Sequence, residues 1–121
     1  MGDPMEKIFE QGMLYDFYGE LLTDHQRSIY EDAVFNDMSL GEIAEERGIS
    51  RQGVHDLIRR CDRILQDYES KLKLVARFTQ AKETVGEIIQ LTQAPEDAQA
   101  EELSDRMREI GQLSRELMKE L

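Results

Sequence analysis

The sequence predicts an all-α fold, a small helical core followed by a C-terminal helical hairpin, and three observations carry that prediction. Apolar residues recur at three- and four-residue spacing along nearly the whole chain. Helix-start residues with a side-chain oxygen stand at Thr23, Ser39 and Ser50, each just ahead of such a run. Only two prolines, Pro4 and Pro95, interrupt 121 residues, so few positions force the backbone out of a helix.

The first element runs from Met5 to Leu22. Ile8, Phe9, Met13, Leu14, Phe17, Tyr18, Leu21 and Leu22 fall on one helical stripe, which marks a packing helix. Aromatic side chains on such a stripe belong to a core, whereas base-stacking platforms are built on sheets. Residues 1–4 read as a cloning remnant ahead of a natural start at Met5, and they carry no functional weight. Thr23 and Gln26 form a capping box that opens a second helix through Ile29, Tyr30, Ala33, Val34 and Phe35, closed by Asn36 and Asp37.

Ser39 and Glu42 have the spacing of another capping box, so a third helix starts at Leu40. It lasts about two turns, because Gly48 supplies the left-handed conformation that closes a helix end. Ile49 then makes a buried contact, and Ser50 caps a fourth helix beginning at Arg51. Along the fourth helix Val54, Leu57, Ile58, Cys61, Ile64 and Leu65 form the apolar face, with Ile43 and Ala44 opposite them. A small residue at the crossing, a positive-φ residue at the turn and apolar residues one and two turns into the second helix are what two steeply crossed short helices need. Ala44, Gly48, Val54 and Leu57 meet those needs, so residues 39–65 read as a helix-turn-helix.

Beyond Leu65 neither Gly nor Pro occurs before Val85, so the fourth helix continues or restarts with a kink near Tyr68. Leu74, Phe78, Ala81, Val85, Ile88 and Thr92 keep the four-three spacing. Pro95 with Glu96 and Asp97 marks a turn and a fresh helix start, and Leu103, Met107, Ile110, Ser114, Leu117 and Leu121 repeat the pattern. Two arrangements suit these stripes: a hairpin packed on itself and on the first domain, or a coiled-coil-like dimer surface. The expected division is a helix-turn-helix domain over residues 5–67 and a hairpin extension over 68–121 that makes the chain a homodimer.

Charge argues against nucleic acid at first sight. The net charge is −11, and affinity for phosphates comes mostly from Lys and Arg. Residues 23–66 are less acidic, with nine carboxylates against six arginines for a net of −3. Four of those arginines lie between Arg51 and Arg63, so a basic face, if formed, is on the fourth helix. The single cysteine, Cys61, rules out an internal disulfide and suits a reducing, cytoplasmic setting; its place on the apolar stripe makes it a core residue. No run approaches the roughly 18 apolar residues of a membrane span, and no signal segment or membrane association is expected.

With Leu22-Thr23-Asp24-His25-Gln26-Arg27 ahead of it, the motif resembles region 4 of bacterial sigma factors, where L-T-x-x-Q-R leads into x-S-x-x-E-I-A-x-x-x-G-I-S. Over a longer span the chain resembles the YlxM family of small bacterial proteins, described as DNA-binding and encoded beside signal recognition particle components. The residues that carry this are 14–18 (LYDFY), 21–23 (LLT), 39–46 (SLGEIAEE), 50–52 (SRQ) and 56–60 (DLIRR). The resemblance implies signal recognition particle components as partners and the motif implies duplex DNA.

In a helix-turn-helix the early exposed residues of the second helix face base edges in the major groove. Those are Arg51, Gln52, His55, Arg59 and Arg60, with Asp56 among them. Arg51 and Arg59 can pair bidentately with guanine and Gln52 with adenine. Phosphates fall to the helix starts at Ser39 and Thr23, to Arg47 and to Arg63. The bland alternative has the arginines paired with Asp56 and Asp62 on a solvated face. His25, His55 and Cys61 lack the spacing of a zinc site, the eight glycines are scattered, and paired acids sit on amphipathic helices, so no enzyme, metal or cofactor is expected. The expectation is a DNA-binding regulator of transcription, the alternative an acidic interaction module acting on signal recognition particle components.

Overall fold

In the computed structural model, which describes residues 4–121, six helices follow one another with no strand among the described residues. They are α1 (Pro4–Tyr18), α2 (Asp24–Val34), α3 (Leu40–Arg47), α4 (Arg51–Leu72), α5 (Leu74–Leu91) and α6 (Ala100–Glu120). Of the four residues read as a cloning remnant, Met1, Gly2 and Asp3 lie outside the described residues and Pro4 opens α1. The chain forms two compact units that divide between Val75 and Ala76.

In the first unit two neighbouring apolar clusters hold four helices together. Leu14, Tyr18, Leu22, Tyr30, Cys61 and Leu65 make one, Ile29, Ile43, Ala44 and Val54 the other, and the half-buried Leu57 and Ile58 touch both. Tyr18, Ile29, Tyr30, Ile43, Val54, Cys61 and Leu65 are fully buried, each worth about 1.5–3 kcal/mol of transfer free energy for a side chain of this size. Cys61 is thus a core thiol, and burial pushes it up to about 11, with the Asp62 carboxylate adding to the shift.

The boundaries follow local chemistry. Thr23 accepts the Gln26 N–H at 3.2 Å while the Gln26 side chain accepts the Thr23 N–H at 3.0 Å, a full capping box. At Ser39 only half of the expected box forms: the hydroxyl accepts the Glu42 N–H at 3.1 Å, and the exposed Glu42 carboxylate makes no return bond. Gly48 closes α3 at φ 69°, and Ser50 caps α4 through the Gly53 N–H at 2.9 Å.

Four further expectations need correction, the first being the buried contact of Ile49, which is 37% exposed and belongs to neither apolar cluster. The stripe read over Ile8 and Phe9 is not core: they are 53% and 70% exposed, because the buried set begins only at Leu14 and the first two turns of α1 extend beyond it. The break after the helix-turn-helix comes at Lys73 rather than Tyr68. There α4 ends in a left-handed residue (φ 56°), and the Glu69 carboxylate accepts the Val75 N–H at 3.0 Å, capping α5. Finally, Pro95 does not start the last helix. Its carbonyl accepts the Ala98 N–H at 3.0 Å in an isolated turn, Gln99 is extended, and α6 begins at Ala100.

In the second unit α5 and α6 run antiparallel, with Gln80 donating to Glu120 at one end and Arg106 donating to the Leu91 carbonyl at the other, each at 3.4 Å. No side chain of either helix is buried; Ala81, Ile88, Leu91, Ile110, Leu113 and Leu117 are half-buried. No helix is long and apolar enough to cross a membrane among the described residues.

Candidate nucleic-acid interface

The apolar face of α4 fixes which residues look outward. At about 100° per residue, Val54, Leu57, Ile58, Cys61 and Leu65 fill one side of the helix. Arg51, Gln52, His55, Asp56, Arg59, Arg60 and Arg63 occupy the rest, and all seven are exposed. The sequence therefore brings six of its candidate residues onto one continuous surface. Among the described residues, Arg51, Arg59, Arg60 and Arg63 form no ion pair or hydrogen bond within the chain, whereas Arg27, Arg47, Arg106 and Arg108 are each paired with a carboxylate.

The nearby acids explain that contrast. Asp62 is turned into the protein: its Oδ1 accepts from the buried Tyr30 hydroxyl at 2.6 Å, and its two oxygens accept from Gln11 Nε2 at 3.0 and 3.2 Å. Asp56 accepts from Gln52 Nε2 at 2.9 Å, and His55 Nδ1 lies 3.8 Å from the same oxygen. Asp56 also lines a shallow groove of about 270 Å³ with Arg59, Arg60 and Arg63. The outward face thus carries four unpaired cations and one carboxylate held by a neighbouring amide, an excess of positive side chains on this arc of an acidic molecule.

Arg51 has a specific resting place. Its guanidinium lies over Gly41 at the start of α3, where a β-carbon on Gly41 would come within 3.2 Å of Nε and Nη2. A side chain at residue 41 would make the guanidinium give by a few tenths of an ångström. Ser39 sits at the exposed start of the same helix, with its hydroxyl engaged by Glu42.

Arg47 is placed differently. Its Nη2 donates to Ser28 Oγ at 2.6 Å and to Asp32 Oδ2 at 2.9 Å, which ties α3 to α2. The Arg47 bond and the Asn36 side chain hold the Asp32 carboxyl below its usual range. This side chain braces α3 on α2, and its Nη2 is engaged by both of those acceptors. Ser28 and Asp32 stand four residues apart on one face of α2, but nothing in that spacing singles out Arg47, whose partners lie 19 and 15 residues away.

No group of three or more His, Cys, Asp or Glu placed to hold a metal ion occurs among the described residues.

The sequence profile of the family described as "Putative helix-turn-helix protein, YlxM / p13 like" matches residues 5–107. A UPF0122 protein of Desulforamulus reducens is 38% identical over 106 residues, covering 88% of this chain and 91% of the relative. One from Acetivibrio thermocellus is 49% identical over 85 residues, 70% of this chain and 73% of its own. One from Bacillus thuringiensis is 38% identical over 106 residues, 88% and 92% of the two chains. The matched span takes in the crossed pair α3 and α4, the core beneath it and most of the second unit, so the chain belongs to the YlxM / p13-like family of helix-turn-helix proteins.

Proposed function

We propose that this chain binds duplex DNA through the first three turns of α4 and acts as a regulator of transcription. The observation that supports this most is the set of four exposed arginines without intramolecular partners, on the helix that this motif presents to the major groove. Arg51, Gln52, His55 and Arg59 lie nearest the tip and are assigned to base edges. Arg60 and Arg63 follow the groove wall and are assigned to phosphates, with the start of α3 at Ser39 a further phosphate contact. Arg47 is assigned the bracing of α3 on α2. The test is titration of mixed-sequence duplexes at low salt, followed by a salt series. Binding that weakens steeply with salt, and that falls at least tenfold in Arg51→Ala and Arg59→Ala with helicity unchanged, supports the proposal. Absent binding, or binding indifferent to salt, overturns it.

A second reading is favoured by the charge of the other unit. Residues 96–105 carry five carboxylates and no cation, a surface that repels a phosphate backbone and suits a basic protein. On that reading the chain acts on signal recognition particle components. Capture of that particle's protein from lysate, undiminished by nuclease, distinguishes it from capture bridged by nucleic acid.

A further inference from the structure

The second unit has a feature that no DNA contact accounts for. Forty-six residues from Ala76 to Leu121 form two helices, yet not one of their side chains is buried. At about 100° per residue, the exposed Val85 and Ile89 fall within roughly 40° of one another on α5, and the exposed Leu103, Met107 and Met118 within roughly 60° on α6. On each helix this stripe is displaced in the same rotational sense from the half-buried stripe that faces the other helix. Because the two helices are antiparallel, equal displacements bring both exposed stripes to one side of the hairpin.

We propose that this side of the α5–α6 hairpin is covered by the same side of a second copy of the chain, laid end over end, so that two hairpins close a four-helix bundle. Three observations point to a second copy. A pair of helices without a buried residue has no core, and two such pairs stacked on their apolar faces make one. The face is about 27 Å long and two helices, about 20 Å, wide, roughly 500 Å² in projection, which approaches the roughly 800 Å² of accessible surface per partner in stable interfaces.

Charge fixes the arrangement. The open end of the hairpin, residues 76–82 and 115–121, carries Arg77, Lys82, Arg115 and Lys119 against Glu116 and Glu120, whereas residues 96–105 at its loop end carry five carboxylates and no cation. A two-fold axis across the helices sets each basic end over the partner's acidic end. An axis along the helices would set like over like.

End-over-end stacking places the middle of α5 beside its own counterpart. Val85 then faces Val85 of the second copy, while the two Phe78 side chains stand about 14 residues of helix rise apart, roughly 21 Å. The proposal is independent of DNA binding and is tested without nucleic acid. Light scattering of the full chain at about 50 µM should give about 28 kDa, twice the 14.1 kDa chain. Met107→Glu and Met118→Glu, at side chains already 72% and 76% exposed, should each weaken self-association at least tenfold while helicity is kept. Under mild oxidation Val85→Cys should form a disulfide-linked dimer and Phe78→Cys should not. A 14 kDa mass, a dimer indifferent to both glutamates, or cross-linking at Phe78→Cys instead of Val85→Cys overturns the proposal.

Discussion

Tyr30 donates its hydroxyl hydrogen to Asp62 at 2.6 Å from a position with no solvent exposure, and this bond keeps an α4 carboxylate away from the α4 arginines. Two helices are joined by it, and the charge of the outward face is set by it. Tyr30→Phe leaves the packing volume almost unchanged but strips Asp62 of its shortest bond, so unfolding free energy should fall by about 1–3 kcal/mol. Urea unfolding checks the size of the loss; a variant as stable as the parent would show that Gln11 alone satisfies the carboxylate.

Gly41→Ala separates folding from binding. Alanine inside α3 gains about 0.5–1 kcal/mol of helix propensity over glycine, and the atom it approaches belongs to the flexible end of Arg51. Stability should therefore hold or rise while the guanidinium leaves its resting place. Duplex affinity should fall, though by less than in Arg51→Ala. Thermal melting read beside a DNA titration checks both halves.

Lys73 adopts the left-handed conformation at φ 56° between α4 and α5, a geometry that costs a non-glycine residue about 1 kcal/mol. Lys73→Gly removes that strain but gives the unfolded chain more freedom, so a net gain of no more than about 1 kcal/mol is expected. A rise in melting temperature of a few degrees would match; a fall would mean the lysine side chain contributes more than the backbone loses.

Alkaline pH should loosen the first unit. Burial pushes the Cys61 thiol up to about 11 from an ordinary 9.0, and burial with a bond to Glu31 pushes the Tyr15 hydroxyl up to about 12 from 10.0. Each group is neutral when protonated, and the folded state holds its proton more tightly than the unfolded one. Their stabilisation is thus complete below pH 9 and is lost as pH rises through 9 to 12. Denaturant midpoints should decline over that window, and Cys61→Ala should delay the onset of the decline toward pH 10.

Arg60→Ala and Arg63→Ala test the assignment of phosphates. Each should flatten the plot of log affinity against log salt by about one unit and weaken all duplexes alike, whereas Arg59→Ala should weaken some sequences more than others. Loss of sequence preference in Arg60→Ala would move that residue to the base-reading group.

The helix-turn-helix was legible because each step of it needs a particular residue: a hydroxyl at Ser39 and Ser50, positive φ at Gly48, a small side chain at Ala44. Periodicity told less about which residues are covered, since Ile8 and Phe9 obey the same spacing as Leu14 and Tyr18 yet lie beyond the core. The joint at Lys73 was hidden because a lysine takes the position a glycine usually fills, and its stabilising partners, Tyr18 and Glu69, are far apart in sequence. At the site, the outward arc of α4 could be read directly from the apolar one. The inward turn of Asp62 and the bracing role of Arg47 depend on partners 15 to 51 residues away, and no local pattern announces them.

The hairpin also bears on how long a molecule of this protein lasts. Helices that hold no side chain away from water open locally at little free-energy cost, and an opened segment is what a protease cuts. A lone chain would lose its tail first and keep the α1–α4 body, so limited digestion at falling concentration should trim it near Ala76, and turnover in a cell would rise as copies become scarce.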